Sequence, residues 1–189
     1  MDLQPKLFLN MILKEDEPVE MVKRSIDSVK DHVDEIYITV TYVDQETTVS
    51  PLIDLLKSYN VKISFFKWTH SFSDARNFAM EQVPKGKNNF LYWQDADDVL
   101  DKPEFLKPIM QDMIVFNQAA IFFNYWYMVD LDKDGNVREI LIEHKRERII
   151  RHDGTFKWIG MLHETLIEQR QENVIKLVRP ECIVVHLTT

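Results

Sequence analysis

Apolar and polar residues follow two alternating patterns along the first half of the chain. Short, nearly continuous apolar runs are typical of strands buried on both faces of a parallel sheet. The predicted strands are residues 7–13, 36–40, 61–66 and 90–94. Apolar residues at helical spacing predict helices between them, over 19–29, 51–59 and 73–83. This alternation predicts a parallel sheet whose ligands bind beyond the carboxyl ends of its strands.

The second half of the chain departs from this alternation. A helix is predicted over 103–117, and strand-like segments at 120–129 and 140–150 flank a polar turn at Gly135. A last apolar strand is predicted at 183–186. The expected fold class is therefore α/β, a mostly parallel central sheet flanked by helices with an antiparallel or mixed C-terminal part. We expect one domain over 1–189.

The polar turn also matches the opening of a calcium-binding EF-hand loop, with Asp130, Asp132 and Asp134 at alternate positions before Gly135. The twelfth position of such a loop requires a bidentate Glu, and here it is Leu141. The flanking segments are strand-like rather than helical. A hairpin turn is therefore favoured over a calcium site.

The composition is that of a globular protein that does not bind nucleic acid. Of the 189 residues, 45% are hydrophobic and 29% charged, and the formal net charge is -8. Binding to a DNA or RNA backbone needs clustered Lys and Arg, which this balance disfavours. An acidic pocket can still hold a phosphate if a divalent cation lies between its carboxylates and the ligand.

The cysteine count and the apolar segments bear on localisation. Cys182 is the only cysteine, which excludes an internal disulfide and a paired-cysteine metal site and suits a reducing cytoplasm. The first ten residues lack the basic start and long apolar run of a signal peptide. No stretch approaches the roughly 20 apolar residues of a membrane helix. We therefore expect a cytoplasmic protein with no membrane span.

Three carboxylates crowd the end of the fourth predicted strand, at Asp95, Asp97 and Asp98. Mg²⁺ or Mn²⁺ would relieve their mutual repulsion, because these hard cations take carboxylate oxygens and bridge to phosphates. The alternative is a solvated loop that caps the next helix, for which Asp101 alone would suffice. The pattern by itself leaves both interpretations open.

Two further segments carry candidate functional groups. Arg76 follows Ser73, the predicted N-cap, and Asp74 at a helix start, where free backbone N–H groups and the helix dipole favour an anion. The alternative is an ordinary cap followed by a surface arginine. Glu164 is a candidate general base, and His186, at the end of the last predicted strand, is a candidate metal ligand.

Four segments together resemble the family 2 glycosyltransferases in order and spacing. They are Met11-Ile12-Leu13-Lys14-Glu15-Asp16-Glu17, Ser73-Asp74-Ala75-Arg76-Asn77, Trp93-Gln94-Asp95-Ala96-Asp97-Asp98 and His163-Glu164. In that family they correspond to the first strand and its loop, a nucleotide-contacting helix start, the Asp-x-Asp metal motif and a later His-Glu pair. The resemblance implies a GT-A fold, with a nucleotide-binding half over 1–100 and an acceptor-binding half over 101–189.

The resemblance also implies a reaction and assigns residues to it. A sugar would move from a nucleotide diphosphate sugar, with a UDP-sugar as first choice, to an acceptor hydroxyl in one inverting displacement. Glu164 is the implied general base, and Mn²⁺ or Mg²⁺ the implied cofactor. The implied metal ligands are Asp97, Asp98 and His186. The implied nucleotide-sugar contacts are Asp74, Arg76, Asn77, Asp95 and Ala96.

The chain departs from the family after the second predicted strand. Many members carry Asp-Ser/Thr-Gly-Ser-Thr-Asp there, and this chain has Val40-Thr41-Tyr42-Val43-Asp44-Gln45-Glu46-Thr47-Thr48. The aspartate that usually contacts the base is therefore missing or displaced. Asp44 is the candidate substitute, and the donor base stays open.

Two other functions fit the same motifs. A catalytically silent nucleotide-sugar-binding module would use the fold for recognition, although the presence of Asp95, Asp97, Glu164 and His186 favours an enzyme. A nucleotidyltransferase of GT-A architecture would release pyrophosphate from a nucleoside triphosphate, whereas a glycosyltransferase releases a nucleoside diphosphate.

Overall fold

The computed structural model describes residues 4–45, 48–169 and 175–187. The helices are α1 (Val19–Asp27), α2 (Pro51–Ser58), α3 (Phe72–Glu81) and α4 (Leu106–Val115), and short 3₁₀ turns lie at Lys30–His32 and Pro103–Phe105. The strands are β1 (Lys6–Lys14), β2 (Glu35–Tyr42), β3 (Lys62–Lys67), β4 (Asn89–Trp93), β5 (Asp98–Asp101), β6 (Gln118–Leu131), β7 (Val137–Arg151), β8 (Phe156–Ile159), β9 (Thr165–Glu168) and β10 (Ile175–His186).

Within these ranges, eight strands form one sheet in the order β3-β2-β1-β4-β7-β6-β10-β5, and β8 pairs with β9 apart from it. The first four strands of the chain run parallel to one another. β7 runs antiparallel to both β4 and β6, and β10 runs parallel to β6 but antiparallel to β5. The predicted α/β class, parallel first and mixed later, is confirmed.

The apolar runs are nearly continuous because the sheet is covered on both faces. Leu7 and Leu9 of β1 pack in the cluster that includes α1, α2 and α4, whereas Phe8 packs in the opposite cluster with α3 and β8. Asn10 interrupts the run on the α3 side, where its amide donates to the carbonyl oxygen of Ala79 at 3.1 Å. Burial of each such Leu contributes about 1.5–3 kcal/mol, so β1 is firmly held between β2 and β4.

The polar turn at Gly135 joins β6 to β7 as a hairpin, which confirms the predicted turn. Oδ1 of Asp132 accepts from the backbone N–H groups of Asp134 and Asn136, each at 2.9 Å. Gly135 has a φ of 84°, in the left-handed region that favours glycine. The Asp132 carboxylate therefore closes a turn between strands, which is not the arrangement of an EF-hand.

Several elements differ from the prediction. Ser71, not Ser73, is the N-cap of α3, because its Oγ accepts from the N–H of Asp74 at 3.2 Å. β10 begins well before residue 183, and the predicted 103–117 helix is a 3₁₀ turn followed by α4. β5, β8 and β9 are additional four-residue strands, too short for their patterns to stand out in the sequence. β5 pairs with the distant β10, whereas β8 and β9 pair with each other across a short loop.

No helix in the described ranges combines the length and apolar character needed to cross a bilayer.

Candidate active site

The acidic cluster lies at the carboxyl end of β4, where the sheet topology brings the end of β10 beside it. β10 pairs antiparallel with β5, and His186 lies opposite Asp98 in this register. The backbone N–H of Leu187 also donates to the carbonyl oxygen of Asp97 at 2.8 Å. A strand pairing between remote parts of the chain thus joins the carboxylates to the imidazole.

Asp97, Asp98 and His186 form the cluster that could hold a metal ion. Nδ1 of His186 lies 3.3 Å from Oδ1 of Asp97 and 3.5 Å from Oδ1 of Asp98, and one ligand atom from each residue lies within 4.8 Å of the others. Oδ1 of Asp98 is buried, and among the described residues it accepts no hydrogen bond of normal geometry. Two carboxylates and an imidazole, with one buried oxygen unpartnered, fit a hard divalent cation.

The surroundings of His186 fix its ring and its charge. The carboxylates of Asp97 and then Asp98 raise its pKa to about 10, because both lie beside Nδ1 and stabilise the protonated imidazole. The Tyr127 ring stacks on the imidazole at 5.2 Å with an interplanar angle of 18°. The hydroxyl of Tyr125 lies 3.2 Å from Nδ1. This negative environment would equally attract a cation.

Arg76 joins the acidic cluster to Glu164. Its Nη2 donates to Oδ1 of Asp95 at 2.7 Å, and its Nε donates to Oε1 of Glu164 at 2.9 Å. The guanidinium lies over the rings of Trp93 and Trp158, 4.7 and 5.0 Å from their centroids. Burial alone would raise the pKa of Asp95, but Arg76 and Arg148 outweigh it and hold that pKa below its usual range. Two carboxylates are thereby committed to one buried arginine.

Arg148, on β7, is a second buried arginine in the site, and the sequence analysis did not find it. Its Nη1 lies 2.8 Å from Oδ2 of Asp98, and its side chain is fully buried. The guanidinium packs over the rings of Trp93 and Tyr125, 4.1 and 4.5 Å from their centroids. It is one of several charged residues in the predicted strand 140–150, and the sequence alone does not distinguish it from the others.

Two clefts meet at this cluster. The first, of about 640 Å³, is lined by the loop after β1, by Thr41 and Val43 at the end of β2, and by Trp68. The second, of about 440 Å³, is lined by side chains of β6 and β7 together with Glu164 and His186. The residues lining both clefts are Phe72, Arg76, Asp95 and Asp97. Two ligands could therefore meet over these shared residues.

Of the four remaining predicted nucleotide-sugar contacts, one lines a cleft and three do not. Ala96 lines the first cleft. The amide of Asn77 instead brackets β8, donating to the Trp158 carbonyl oxygen at 2.9 Å and accepting from its N–H at 3.0 Å. Oδ2 of Asp74 accepts from the Thr69 hydroxyl at 3.2 Å. Asp44 is exposed beyond the first cleft, and neither it nor Asp74 nor Asn77 is among the described lining residues of the two clefts.

The start of α3 is largely occupied by protein atoms. The N–H of Phe72 donates to the carbonyl oxygen of Met161 at 2.9 Å, and the N–H of Asp74 donates to Ser71. This loop contact brings the segment before Glu164 against α3. The helix start therefore positions the loop, and two of the predicted anion-binding N–H groups already have protein acceptors, one in the loop and one in the N-cap residue.

The family model described as Glycosyl transferase family 2 matches residues 15–175. The chain belongs to this family. The predicted GT-A fold and the resemblance drawn from the four motifs are thus confirmed, and the matched region includes Arg76, the acidic cluster and Glu164. No curated protein matches the sequence.

Solved structures of other proteins are similar to this family 2 domain. GalNAc-T7 with UDP, GalNAc and Mn²⁺ is 13% identical with a TM-score of 0.55, and the match covers 100% of this chain and 45% of that chain. S. aureus TarS 1-349 in complex with UDP is 16% identical with a TM-score of 0.47, over 71% of this chain and 38% of that chain. The chain thus spans less than half of either protein, and the GalNAc-T7 likeness supports the fold.

Proposed function

We propose that this family 2 domain transfers a sugar from a nucleotide diphosphate sugar to an acceptor hydroxyl. The observation that carries the proposal is the pair of clefts that share Arg76, Asp95 and Asp97. A donor in the first cleft and an acceptor in the second would meet at these residues. This arrangement suits transfer between two bound substrates.

The donor nucleotide would occupy the first cleft. Trp68 offers an aromatic face for a base, and Thr41 and Val43 lie where the family usually has its base-contacting aspartate. A UDP-sugar is the first choice, and the UDP bound to GalNAc-T7 supports that choice. Under this proposal Asp44 is a weaker candidate for base contact than these lining residues.

A divalent cation, Mn²⁺ or Mg²⁺, would be held by Asp97, Asp98 and His186. When bound, it would offset negative charge on the leaving diphosphate. The GalNAc-T7 complex with Mn²⁺ makes Mn²⁺ the first ion to test. Asp95 is not one of the proposed cation ligands, because its Oδ1 accepts a hydrogen bond from Arg76.

Glu164 would accept the proton of the acceptor hydroxyl. Oε1 is bound to Arg76, and no hydrogen bond to Oε2 occurs within the described ranges, so Oε2 is the oxygen for the acceptor. Glu164 lines the second cleft but not the first. A base on the acceptor side, opposite the leaving diphosphate, supports a single inverting displacement. Such a base contributes about 10²- to 10⁴-fold in rate.

The experiment is a screen of UDP-sugars and other nucleotide sugars with Mn²⁺, measuring nucleoside diphosphate release and thermal stabilisation. A ligand bound only by the folded state raises the melting temperature. We expect stabilisation by UDP with Mn²⁺, lost in Asp97→Ala and retained in Asp101→Ala. Stabilisation by nucleoside triphosphates with pyrophosphate release would instead identify a nucleotidyltransferase, and nucleotide-sugar binding without any turnover would identify a silent module.

The stereochemical proposal has its own test. Once a donor is found, ¹H NMR of the first product formed reports its anomeric configuration. Inversion relative to the donor is expected. Retention would contradict the single displacement and the role of Glu164 in it, while leaving the donor site unaffected.

A further inference from the structure

We propose that Arg148 is a positioning residue that directs Oδ1 of Asp98 toward the cation site and thereby sets cation affinity. This inference rests on the cation site of the proposed function. Arg148 itself is fully buried on β7 and lines neither described cleft. Any effect it has on a cation therefore passes through Asp98.

The two oxygens of Asp98 have different surroundings. Oδ2 is held twice, by Nη1 of Arg148 at 2.8 Å and by the backbone N–H of Asp95 at 3.2 Å. Oδ1 has no hydrogen bond of normal geometry among the described residues and lies 3.5 Å from Nδ1 of His186. With Oδ2 fixed on two sides, the carboxylate cannot turn, and Oδ1 stays toward Asp97 and His186.

Ring contacts and a backbone hydrogen bond hold the Arg148 guanidinium in place. Its guanidinium lies against the rings of Trp93 and Tyr125, and Nη1 also donates to the carbonyl oxygen of Trp93 at 3.3 Å. Nε and Nη2 are buried without partners among the described residues. A buried ion pair with unsatisfied donors adds little net stability compared with apolar side chains. Its geometry is therefore better explained by control of the Asp98 carboxylate than by stability.

Partners that orient a metal ligand typically change metal affinity by about 10- to 100-fold when mutated. Arg148→Lys keeps the charge, but an ammonium group cannot reproduce the planar guanidinium that packs over two rings while its Nη1 contacts Asp98 and Trp93. Arg148→Met removes the charge as well. We expect both variants to bind Mn²⁺ at least about 10-fold more weakly than wild type.

The measurement is titration of the whole chain with Mn²⁺ alone, with free Mn²⁺ followed by electron paramagnetic resonance. Circular dichroism and the melting temperature identify variants that fold. Arg151→Lys is the matched control, because Arg151 lies on the same strand and bonds to Asn117 and the Gln118 backbone, away from the cluster. Its Mn²⁺ affinity should equal that of wild type.

A double-mutant cycle tests the route through Asp98. In an Asp98→Asn background, Arg148→Lys should change Mn²⁺ affinity by less than about 2-fold. A folded Arg148→Lys protein with wild-type affinity, or full additivity with Asp98→Asn, would overturn the inference while the cation site stands. A wild-type chain that binds no Mn²⁺ would overturn both this inference and the cation site, leaving nucleotide binding to be judged separately.

Discussion

Arg76 and Glu164 are held together by a 2.9 Å hydrogen bond from Nε to Oε1, although Arg76 lies in α3 and Glu164 in the loop before β9. The same guanidinium binds Asp95 beside the proposed cation site. One buried arginine therefore sets the distance between Glu164, the proposed base, and Asp95. This arginine joins two segments that are far apart in the sequence into one cluster of charged side chains.

Glu164→Gln should lower the transfer rate by about 10²- to 10⁴-fold, because an amide cannot accept the acceptor proton. Donor binding should persist, since Glu164 lines only the second cleft. Steady-state rates and donor titrations measure the two effects. Glu168→Gln is the control. Glu168, on β9, forms an ion pair with Lys176 of β10, so its substitution should leave the transfer rate unchanged. A Glu164→Gln enzyme of full activity would exclude Glu164 as the base.

Arg76→Met should lower the free energy of unfolding by about 3–5 kcal/mol, because it leaves Asp95 and Glu164 without their buried partner. Urea denaturation of the wild type and the variant measures this loss. Arg138→Met is the control, since Arg138 is mostly exposed and its ion pair with Asp130 is screened by solvent. Equal stability of the Arg76 variant and the control would contradict the structural role of the Arg76 pairs.

Gly160→Ala should impair both folding and transfer. Gly160 has a φ of 95°, and a Cβ there would lie 2.9 Å from the backbone oxygen of His163, next to Glu164. Gly135 has a similar φ of 84° but open space around it, so Gly135→Ala incurs the backbone cost alone, about 1–2 kcal/mol.

Melting temperatures and transfer rates of the two variants separate these effects. Gly160→Ala should lose activity beyond its loss of stability, and Gly135→Ala should keep wild-type turnover at temperatures where it is folded. Matching turnover in both variants would show that the Gly160 turn does not place Glu164.

His152 should make stability depend on pH in mildly acidic solution. Burial lowers its pKa below the usual 6.5, and Nε2 lies 2.9 Å from the carbonyl oxygen of Val83. The unfolded chain therefore takes up a proton before the folded one, so this contribution is fully present above pH 6.5 and is lost as pH falls below it. His152→Gln should flatten the slope of unfolding free energy between about pH 5 and 6.5.

The raised pKa of His186 does not interfere with that measurement. It makes the free energy of unfolding depend on pH only above about 6.5, where the unfolded chain has lost the proton that the folded chain keeps. Denaturant unfolding of the wild type and His152→Gln at several pH values provides the comparison. The same slope in both proteins would contradict the assignment to His152.

The parallel half of the fold follows from the sequence itself. Continuous apolar runs such as 7–13 and 36–40 indicate strands that are buried on both faces. Apolar residues at helical spacing between them indicate helices that are buried on one face, so a local pattern is enough to identify each element. The position of Asp95 and Asp97 at a strand end follows from the same reasoning. These features depend on neighbouring residues alone.

Only the tertiary structure decided how the charges are paired. Arg76 and Arg148 bind Asp95, Glu164 and Oδ2 of Asp98, which leaves Asp97, Oδ1 of Asp98 and His186 as the candidate cation ligands. These pairings depend on strand order and on the packing of two guanidinium groups around Trp93. Contacts between distant segments are set by the packing of the whole sheet, and the spacing of residues along the chain does not predict them.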